Sequence, residues 1–380
     1  MAPIAALPTP SLVLDLDRFD ANVDAMVALA AANGIEFAPH AKTHRIPTIG
    51  ARQLERGAAR LTVAKLGEAE GFADAGVAAI FVAFPVVGAG VPQRALALHR
   101  RIDLRVGVDS IVGAAALGAV FAAAGTAISV LLAVDTGLGR EGVAPTAAPT
   151  LASAIATIEG IDLVGIFTHE GQTYGALDAA DLQARSLAAA ETMVEVAESI
   201  RALGMPCPVV SLGCSASAAI VVAVPGVTEV RPGITSFGDA GLLALGVHAH
   251  DRLAVRVIAT VVSAPEPGRA CIDAGSKALG ADLVLASAHR DEFGGHGLLE
   301  FDDTQHGRLG GWHLERLSEE HGWLRWDAAV GPAPQLTVGE RLAIIPNHVC
   351  MAFAALRQVT VIEAGDEIAS WDGLGPGASQ

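Results

Sequence analysis

The chain contains three lysines, Lys42, Lys65 and Lys277, and a single tyrosine, Tyr174. Lys42 ends an apolar stretch that begins at Phe37, so its amine is expected at the end of a buried strand. An amine that is partly removed from water is suited to form a Schiff base with a carbonyl cofactor. The alternative is a strand-end lysine whose amine reaches solvent while its stem covers apolar surface.

Two glycine-bearing turns are candidates for binding a phosphate group. The first, residues 211–217, reads Ser-Leu-Gly-Cys-Ser-Ala-Ser, where a predicted strand is followed by a helix. Backbone N–H groups at a helix N-terminus favour a dianion, and glycine permits close approach. A serine-rich helix cap is the alternative. The second turn, residues 231–238, follows the next predicted strand, as in the usual phosphate site of a (β/α)8 barrel.

His348 and Cys350 stand two residues apart after an apolar run. On an extended segment, residues at this spacing share one face, so the imidazole and the thiol can bind one ion such as Zn²⁺. Two protein ligands leave positions for water or substrate. The alternative is a buried cysteine beside an unrelated histidine. Glu320 and His321 form a weaker candidate, which a turn also explains.

Eight apolar segments alternate with helical stretches in the first two thirds of the chain. Strands are predicted at residues 36–42, 60–66, 79–85, 103–109, 127–135, 161–169, 207–213 and 227–233. Helices are predicted at residues 43–56, 68–75, 92–101, 111–124, 145–159 and 178–203. Strands that are apolar throughout and joined by helices are typical of a (β/α)8 TIM-like barrel, whose strand ends carry the reactive groups. A doubly wound sheet is the rival, but the usual glycine-rich turn is absent after the first strand.

The pattern changes after about residue 245, where β-forming segments follow one another without long helices between them. These segments are residues 253–263, 270–273, 336–345 and 359–371. Residues 11–17 are predicted as a strand that returns to pair with this second domain, and residues 291–316 as a long irregular loop. We therefore expect a barrel at 18–245 and a mainly antiparallel β domain at 1–17 and 246–380.

Composition restricts the class of protein. The 380 residues carry a formal charge of −16, which disfavours nucleic acid and anionic membranes as partners, because both need a basic surface. Two uncharged runs, 111–134 and 207–228, are long enough to span a membrane, but their alanine, glycine and proline content predicts helices and buried strands. The N-terminus lacks the basic region of a signal peptide, and the four cysteines form no CxxC pair. We expect a cytoplasmic protein with reduced thiols.

Taken together, these motifs resemble the fold-type III pyridoxal-phosphate enzymes, which have an alanine-racemase-like barrel, and within them the D-serine dehydratase and D-threonine aldolase branch. The matching segments run in the family's order along nearly the whole chain. They are residues 9–15, 39–43 (Pro-His-Ala-Lys-Thr), 62–69 (Thr-Val-Ala-Lys-Leu-Gly-Glu-Ala), 135–142, 168–174 (Thr-His-Glu-Gly-Gln-Thr-Tyr), 228–233 (Thr-Glu-Val-Arg-Pro-Gly), 272–277, 320–322 and 346–350 (Pro-Asn-His-Val-Cys).

The resemblance implies roles for individual residues. Lys42 would carry pyridoxal 5'-phosphate, Arg140 and His169 would flank its ring, and Tyr174 would lie near the substrate. The phosphate and ring would be held by Gly213, Ser215, Ser217, Arg231 and Gly233. His348 and Cys350 match the metal pair of the dehydratases, for zinc or for manganese or magnesium, whereas the aldolases usually carry aspartate at the second position. The active site would be completed between two subunits of a homodimer.

The implied activity is a lyase that acts on a D-3-hydroxy amino acid. Cysteine at position 350 favours a dehydratase, which forms a 2-oxo acid and ammonia by β-elimination. An aldolase that cleaves the same substrate to glycine and an aldehyde is the first alternative. A non-catalytic pyridoxal-phosphate carrier is the second, although such carriers typically end after the barrel. The substrate side chain, the metal and the roles of Lys277, Glu320 and His321 stay open.

Overall fold

The computed structural model describes residues 6–284, 295–301 and 311–379. Its strands are β1 Ser11–Asp15, β2 Glu36–Phe37, β3 Leu61–Val63, β4 Ala79–Pro85, β5 Asp103–Val108, β6 Ile128–Ala133, β7 Ile161–Thr168, β8 Val209–Leu212, β9 Glu229–Val230, β10 Val255–Glu266, β11 Arg269–Ile272, β12 Gly297–Phe301, β13 Trp312–Leu317, β14 Gly322–Trp326, β15 Arg341–Pro346, β16 Gln358–Glu363 and β17 Asp366–Asp372. Its α-helices are α1 Leu16–Ala32, α2 Pro47–Glu55, α3 Leu66–Asp74, α4 Val91–His99, α5 Ile111–Ala123, α6 Ala148–Ala156, α7 Ala179–Ala202, α8 Ala218–Val221, α9 Ala240–Ala244, α10 Ser276–Leu279 and α11 Val349–Leu356.

The chain forms two compact units. The barrel unit comprises Asp24–Thr173, Ala180–Gly233 and Leu374–Gln380. The β unit comprises Met1–Val23, Tyr174–Ala179 and Ile234–Gly373. The domain bounds expected from the sequence, 18–245 for the barrel and 1–17 with 246–380 for the β domain, stay a prediction.

The barrel unit is built on one parallel sheet with the strand order β2-β9-β8-β7-β6-β5-β4-β3. A parallel bridge between His40 and Thr62 joins the two ends of this order. Phe81, Leu131 and Phe167 pack inside the sheet as one buried cluster. Helices connect successive strands, as a parallel sheet requires, and the predicted barrel is confirmed.

The first uncharged run forms a helix followed by a strand, as predicted. Ser110 starts α5 by accepting a hydrogen bond from the backbone N–H of Gly113. Gly118 lets this helix pack closely, because a Cβ there would lie 2.4 Å from Ile158. Strand β6 follows and is almost wholly buried. Within the described ranges, no helix combines the length and the apolar character needed to cross a membrane.

The β unit contains a sheet with the path β13-β14-β11-β10-β1-β16-β17, and β15 pairs with both β10 and β12. Strand β1 pairs antiparallel with β10 and parallel with β16. The expectation that the N-terminal strand returns to the second domain is therefore confirmed. Most of the remaining pairs are antiparallel, which also confirms the mainly antiparallel β domain.

The prediction of an irregular loop at residues 291–316 is wrong where the structure describes it. Strands β12 and β13 lie in this segment and pair with β15 and β14. Trp312 and Leu314 are buried on one face of β13, a short alternation that the nearby glycines obscure in the sequence. Residues 291–294 and 302–310 lie outside the described part of the chain.

Candidate cofactor and metal sites

Lys42 lies in a short 3-10 turn, Ala41–Thr43, and not inside a strand. Strand β2 ends at Phe37, earlier than the predicted residue 42, and Pro39 has no N–H with which to continue the ladder. The carbonyl of Pro232 nevertheless holds the turn by accepting a hydrogen bond from the His40 N–H at 3.3 Å. Lys42 is half-buried between buried neighbours.

Gly233 allows the backbone beyond β9 to pass close to this turn. A Cβ at this position would lie 2.4 Å from Thr43 Oγ1 and 2.7 Å from the carbonyl oxygen of His40. Both distances are shorter than real Cβ contacts, so a larger residue would displace the turn that carries Lys42. This steric requirement gives a physical reason for the glycine in the Arg-Pro-Gly motif.

Two neutral imidazoles accompany the cations of the barrel unit. Burial lowers the pKa of His169 to about 3, and Lys42 and Arg140 lower it further by charge repulsion. Burial also holds the pKa of His40 well below its usual value, with Lys42 and Arg231 among the further causes. His169 Nδ1 lies 2.9 Å from the carbonyl oxygen of Gly213. Because a carbonyl only accepts, Nδ1 carries the proton and Nε2 keeps its lone pair.

Arg231 is fully buried and held from several sides. Its Nε donates to Ser211 Oγ at 2.7 Å, and its Nη2 donates to the carbonyl of Thr168 at 2.5 Å. The rings of Phe81 and Phe167 lie about equally close to the guanidinium, at 5.5 and 5.4 Å from Cζ. These contacts fix the guanidinium in one orientation, as a cofactor contact requires.

Gly213 packs directly on this guanidinium. A Cβ at Gly213 would lie 2.7 Å from Cζ of Arg231. Behind Arg231, the hydroxyl of Ser211 donates to Glu229 at 2.5 Å. Glu229 is buried, and nitrogens of Arg60 and Arg105 each lie 3.8 Å from its Oε2. Glu229 therefore compensates buried cations, a role that the sequence analysis missed.

Glu170 is the second buried carboxylate that the sequence analysis missed. It accepts hydrogen bonds from the backbone N–H groups of Gly213 and Cys214, both at 3.1 Å, and from Ser217 Oγ at 2.6 Å. Three donors of the predicted phosphate loop are thus engaged by a side chain of the chain itself. Ser215 is buried in the same loop. Direct contact of Gly213, Ser215 and Ser217 with a phosphate stays a prediction.

Arg140 is exposed and forms an ion pair with the adjacent Glu141. Its loop is fixed by Asp135, whose carboxylate accepts hydrogen bonds from the N–H groups of Gly137 at 2.9 Å and Gly139 at 3.1 Å. Tyr174 lies in the short 3-10 segment Gly171–Gly175 that follows β7. Contacts of Arg140 with the cofactor and of Tyr174 with the substrate stay predictions.

The two other lysines have structural partners. Lys65 precedes α3, and its amine lies 3.7 Å above the ring of Phe84. Lys277 forms an ion pair with Glu320 at 2.8 Å, which joins two motifs whose roles the sequence left open. Because both side chains are exposed, this pair contributes little to stability.

His348 and Cys350 meet at the start of α11 in the β unit. His348 is the extended residue before the helix, and Cys350 lies in its first turn, so the predicted common strand is wrong. Their side chains nevertheless form a hydrogen bond. Burial lowers the pKa of His348, but Cys350, Asp282 and Asp239 outweigh it and raise the pKa to about 10.

The donor chemistry of this pair fits a borderline-soft ion. An imidazole nitrogen and a thiolate sulfur are both usual zinc ligands, and two ligands leave positions open. Over the ranges 6–284, 295–301 and 311–379, no group of three or more histidine, cysteine, aspartate or glutamate side chains is arranged to hold an ion.

Comparison with known families agrees with this fold. Residues 14–241 match the model of the alanine racemase N-terminal domain, and residues 254–362 match that of a serine dehydratase domain. The chain belongs to this alanine-racemase-like family of fold-type III enzymes, and the resemblance seen in the motifs is confirmed.

Individual relatives cover nearly the whole chain. The D-threo-3-hydroxyaspartate dehydratase of Delftia sp. (strain HT23) is 35% identical over 98% of each sequence, and its structure superposes with a TM-score of 0.89 at 34% identity, also over 98% of each chain. A cysteine-to-alanine variant of a D-threo-3-hydroxyaspartate dehydratase, solved in a metal-free form, gives a TM-score of 0.88 at 34% identity over 98% of each chain. The D-threonine aldolase of Arthrobacter sp is 30% identical over 96% of this chain and 91% of its own length.

Proposed function

We propose that this protein is a pyridoxal-phosphate- and metal-dependent lyase that eliminates water from a D-3-hydroxy amino acid. Hydrolysis of the eliminated product returns the water and gives a 2-oxo acid and ammonia. The cations around Lys42 are the observation that carries the proposal. The imidazoles of His40 and His169 are neutral because of burial. The charges of Lys42, Arg140 and Arg231 lower the pKa of both further. A site with this charge suits a phosphorylated cofactor and an amino-acid carboxylate. The dehydratase relative, at 35% identity, supports elimination.

The residues of the barrel unit fit the cofactor. Lys42 would hold it covalently, Arg140 and His169 would flank its ring, and the guanidinium of Arg231 is fixed in advance. Gly233 lets the backbone approach the Lys42 turn, and Gly213 lets it approach Arg231. Bound pyridoxal phosphate supplies an electron sink for a carbanion, and a divalent ion supplies a Lewis acid for a departing hydroxyl.

The chain's own groups would move the protons. The Lys42 amine would be the base that takes the proton from Cα of the substrate. His169 keeps its Nε2 lone pair available because Nδ1 is committed to the Gly213 carbonyl. His348 and Cys350 would hold the ion, and their nitrogen and sulfur favour zinc over manganese or magnesium.

Covalent trapping tests the cofactor site. Reduction of the cofactor-loaded protein with borohydride, followed by peptide mass analysis, should place the cofactor on Lys42. Lys42→Ala should lose the trapped mass and the activity, whereas Lys65→Ala should keep the trapped mass. Cofactor trapped at Lys65 or Lys277, or full activity in Lys42→Ala, contradicts the proposal.

Retro-aldol cleavage is the second candidate, since a D-threonine aldolase is among the relatives, at 30% identity. Incubation with D-threonine, D-serine and D-threo-3-hydroxyaspartate decides between the two. Ammonia with a 2-oxo acid supports the dehydratase, and glycine with an aldehyde supports the aldolase. If neither product forms although the protein binds the cofactor, the result would indicate a carrier.

We further propose that the protein acts as a homodimer in the cytoplasm. The resemblance to enzymes with shared active sites supports the dimer, and the reduced state of the four cysteines agrees with a reducing compartment. Light scattering coupled to size exclusion tests the assembly. A monomer that turns over substrate at full rate contradicts it.

A further inference from the structure

Asp282 is an aspartate that lies against the candidate metal pair although it is distant in sequence. Its Oδ2 lies 2.5 Å from Nδ1 of His348. A carboxylate oxygen accepts, so Nδ1 carries the proton of this bond. Nε2 is then the nitrogen of His348 that can bind an ion. The side chain of Cys350 hydrogen-bonds the same imidazole from the first turn of α11.

The segment that carries Asp282 is anchored to the backbone beside His348. The buried amide of Asn347 donates to the carbonyl of Asp282 at 3.0 Å and to that of Gly295 at 2.8 Å. Gly280 packs against α11, where a Cβ would lie 2.6 Å from Cβ of Met351. The 2.5 Å contact is therefore built on two anchored segments.

The other side of the pair is fixed by Asp239. This buried carboxylate accepts hydrogen bonds from the N–H of Leu242 at 2.9 Å and from the N–H of Val349 at 3.3 Å. It therefore caps α9 and holds the residue between His348 and Cys350 in place. The backbone between His348 and Cys350 is thus tied to Asp239, and the imidazole ring is tied to Asp282.

We propose that Asp282 is a positioning residue that orients His348 toward the ion through Nδ1 and is not itself a ligand. This proposal rests on the metal site of the proposed function. A histidine ligand usually donates its other N–H to a carboxylate or carbonyl, which fixes the ring and raises its basicity. No three-residue ligand group occurs among the described residues, which agrees with a role behind the histidine. Removal of such a partner typically weakens metal binding about 10- to 100-fold.

Zinc affinity, measured by competition with a chromophoric chelator on the cofactor-loaded protein, tests this role. Asp282→Ala should raise the zinc Kd about 10- to 100-fold. Asp282→Asn keeps an acceptor for Nδ1–H and should lose less, at most about tenfold. Asp366→Asn, at an exposed position in β17 of the same unit, is the matched control and should bind as the wild type. Circular dichroism checks that each variant is folded.

Cobalt separates a positioning residue from a ligand. At saturating Co²⁺, the visible absorption bands of Asp282→Asn should keep the wild-type positions and intensities, because the ligands are unchanged. Altered bands would identify Asp282 as a ligand and overturn the positioning role. A zinc Kd of Asp282→Ala within twofold of the wild-type value would overturn it too, because Asp282 would then have no effect on metal binding. If the wild type binds no zinc, or His348→Ala keeps its affinity, the metal site of the proposed function fails as well.

Discussion

Replacing Glu170 tests whether its buried carboxylate holds the loop that contains Gly213 and Ser217. In Glu170→Ala, three donors at 2.6 to 3.1 Å lose their acceptor. A hydrogen bond to a charged group contributes about 1.5–3 kcal/mol, and an unpaired buried group adds its own desolvation cost. Since the loop can recover some bonds to water, we expect the free energy of unfolding to fall by about 3–5 kcal/mol.

Urea denaturation, followed by two probes, measures this loss. The four tryptophans, Trp312, Trp323, Trp326 and Trp371, all lie in the β unit, so their fluorescence reports on that unit. Far-UV circular dichroism reports mainly on the helices, most of which lie in the barrel unit. The dichroism transition should move to lower urea by more than the fluorescence transition.

The matched control is Glu191→Ala, which removes an exposed glutamate from α7 of the same unit and should change stability by less than about 0.5 kcal/mol. Glu170→Gln should lie between control and Glu170→Ala, because its amide offers one acceptor where the carboxylate offers two. A loss below about 1 kcal/mol in Glu170→Ala would refute the reasoning, since a single ordinary hydrogen bond contributes that much.

Further predictions concern the site and the core. Gly233→Ala should reduce borohydride trapping of the cofactor, since its Cβ would lie 2.4 Å from Thr43 Oγ1; a wild-type yield contradicts this. Burial lowers the pKa of His44 to about 3, although hydrogen bonds to the ring oppose this shift. The free energy of unfolding should therefore decrease as the pH falls below about 6.5, and this group should account for a loss of about 2 kcal/mol at pH 5. His44→Leu should flatten that part of the urea-derived stability profile, and an unchanged slope counts against it. Phe81→Ala removes a ring in edge contact with Phe167 at 5.2 Å and should cost about 3–5 kcal/mol in the same assay, whereas a loss below about 1 kcal/mol would mean that the barrel interior repacks.

The barrel was predictable because its strands are buried on both faces and stand out as apolar runs, as Ile128–Ala133 does. Strands β12 and β13 were not. Strand β12 is short and pairs with the distant β15, and the glycines near β13 obscure its short alternation. Motifs singled out Lys42 and His348, whose chemistry depends on residue type. Asp282 carries no such signal. It lies 66 residues before His348 in the sequence, and only folding brings the two side chains together.

The pairing of β1 with both β10 and β16 has a consequence for synthesis on the ribosome. Val13 takes its place between Arg256 and Thr360, so the sheet cannot close around β1 until the last part of the chain has emerged. At translation rates of about 5–20 residues per second, β1 waits roughly 20 to 70 s for β16. All of the barrel strands are translated within that interval. The N-terminal strand therefore lacks its β16 partner while the barrel strands are being made.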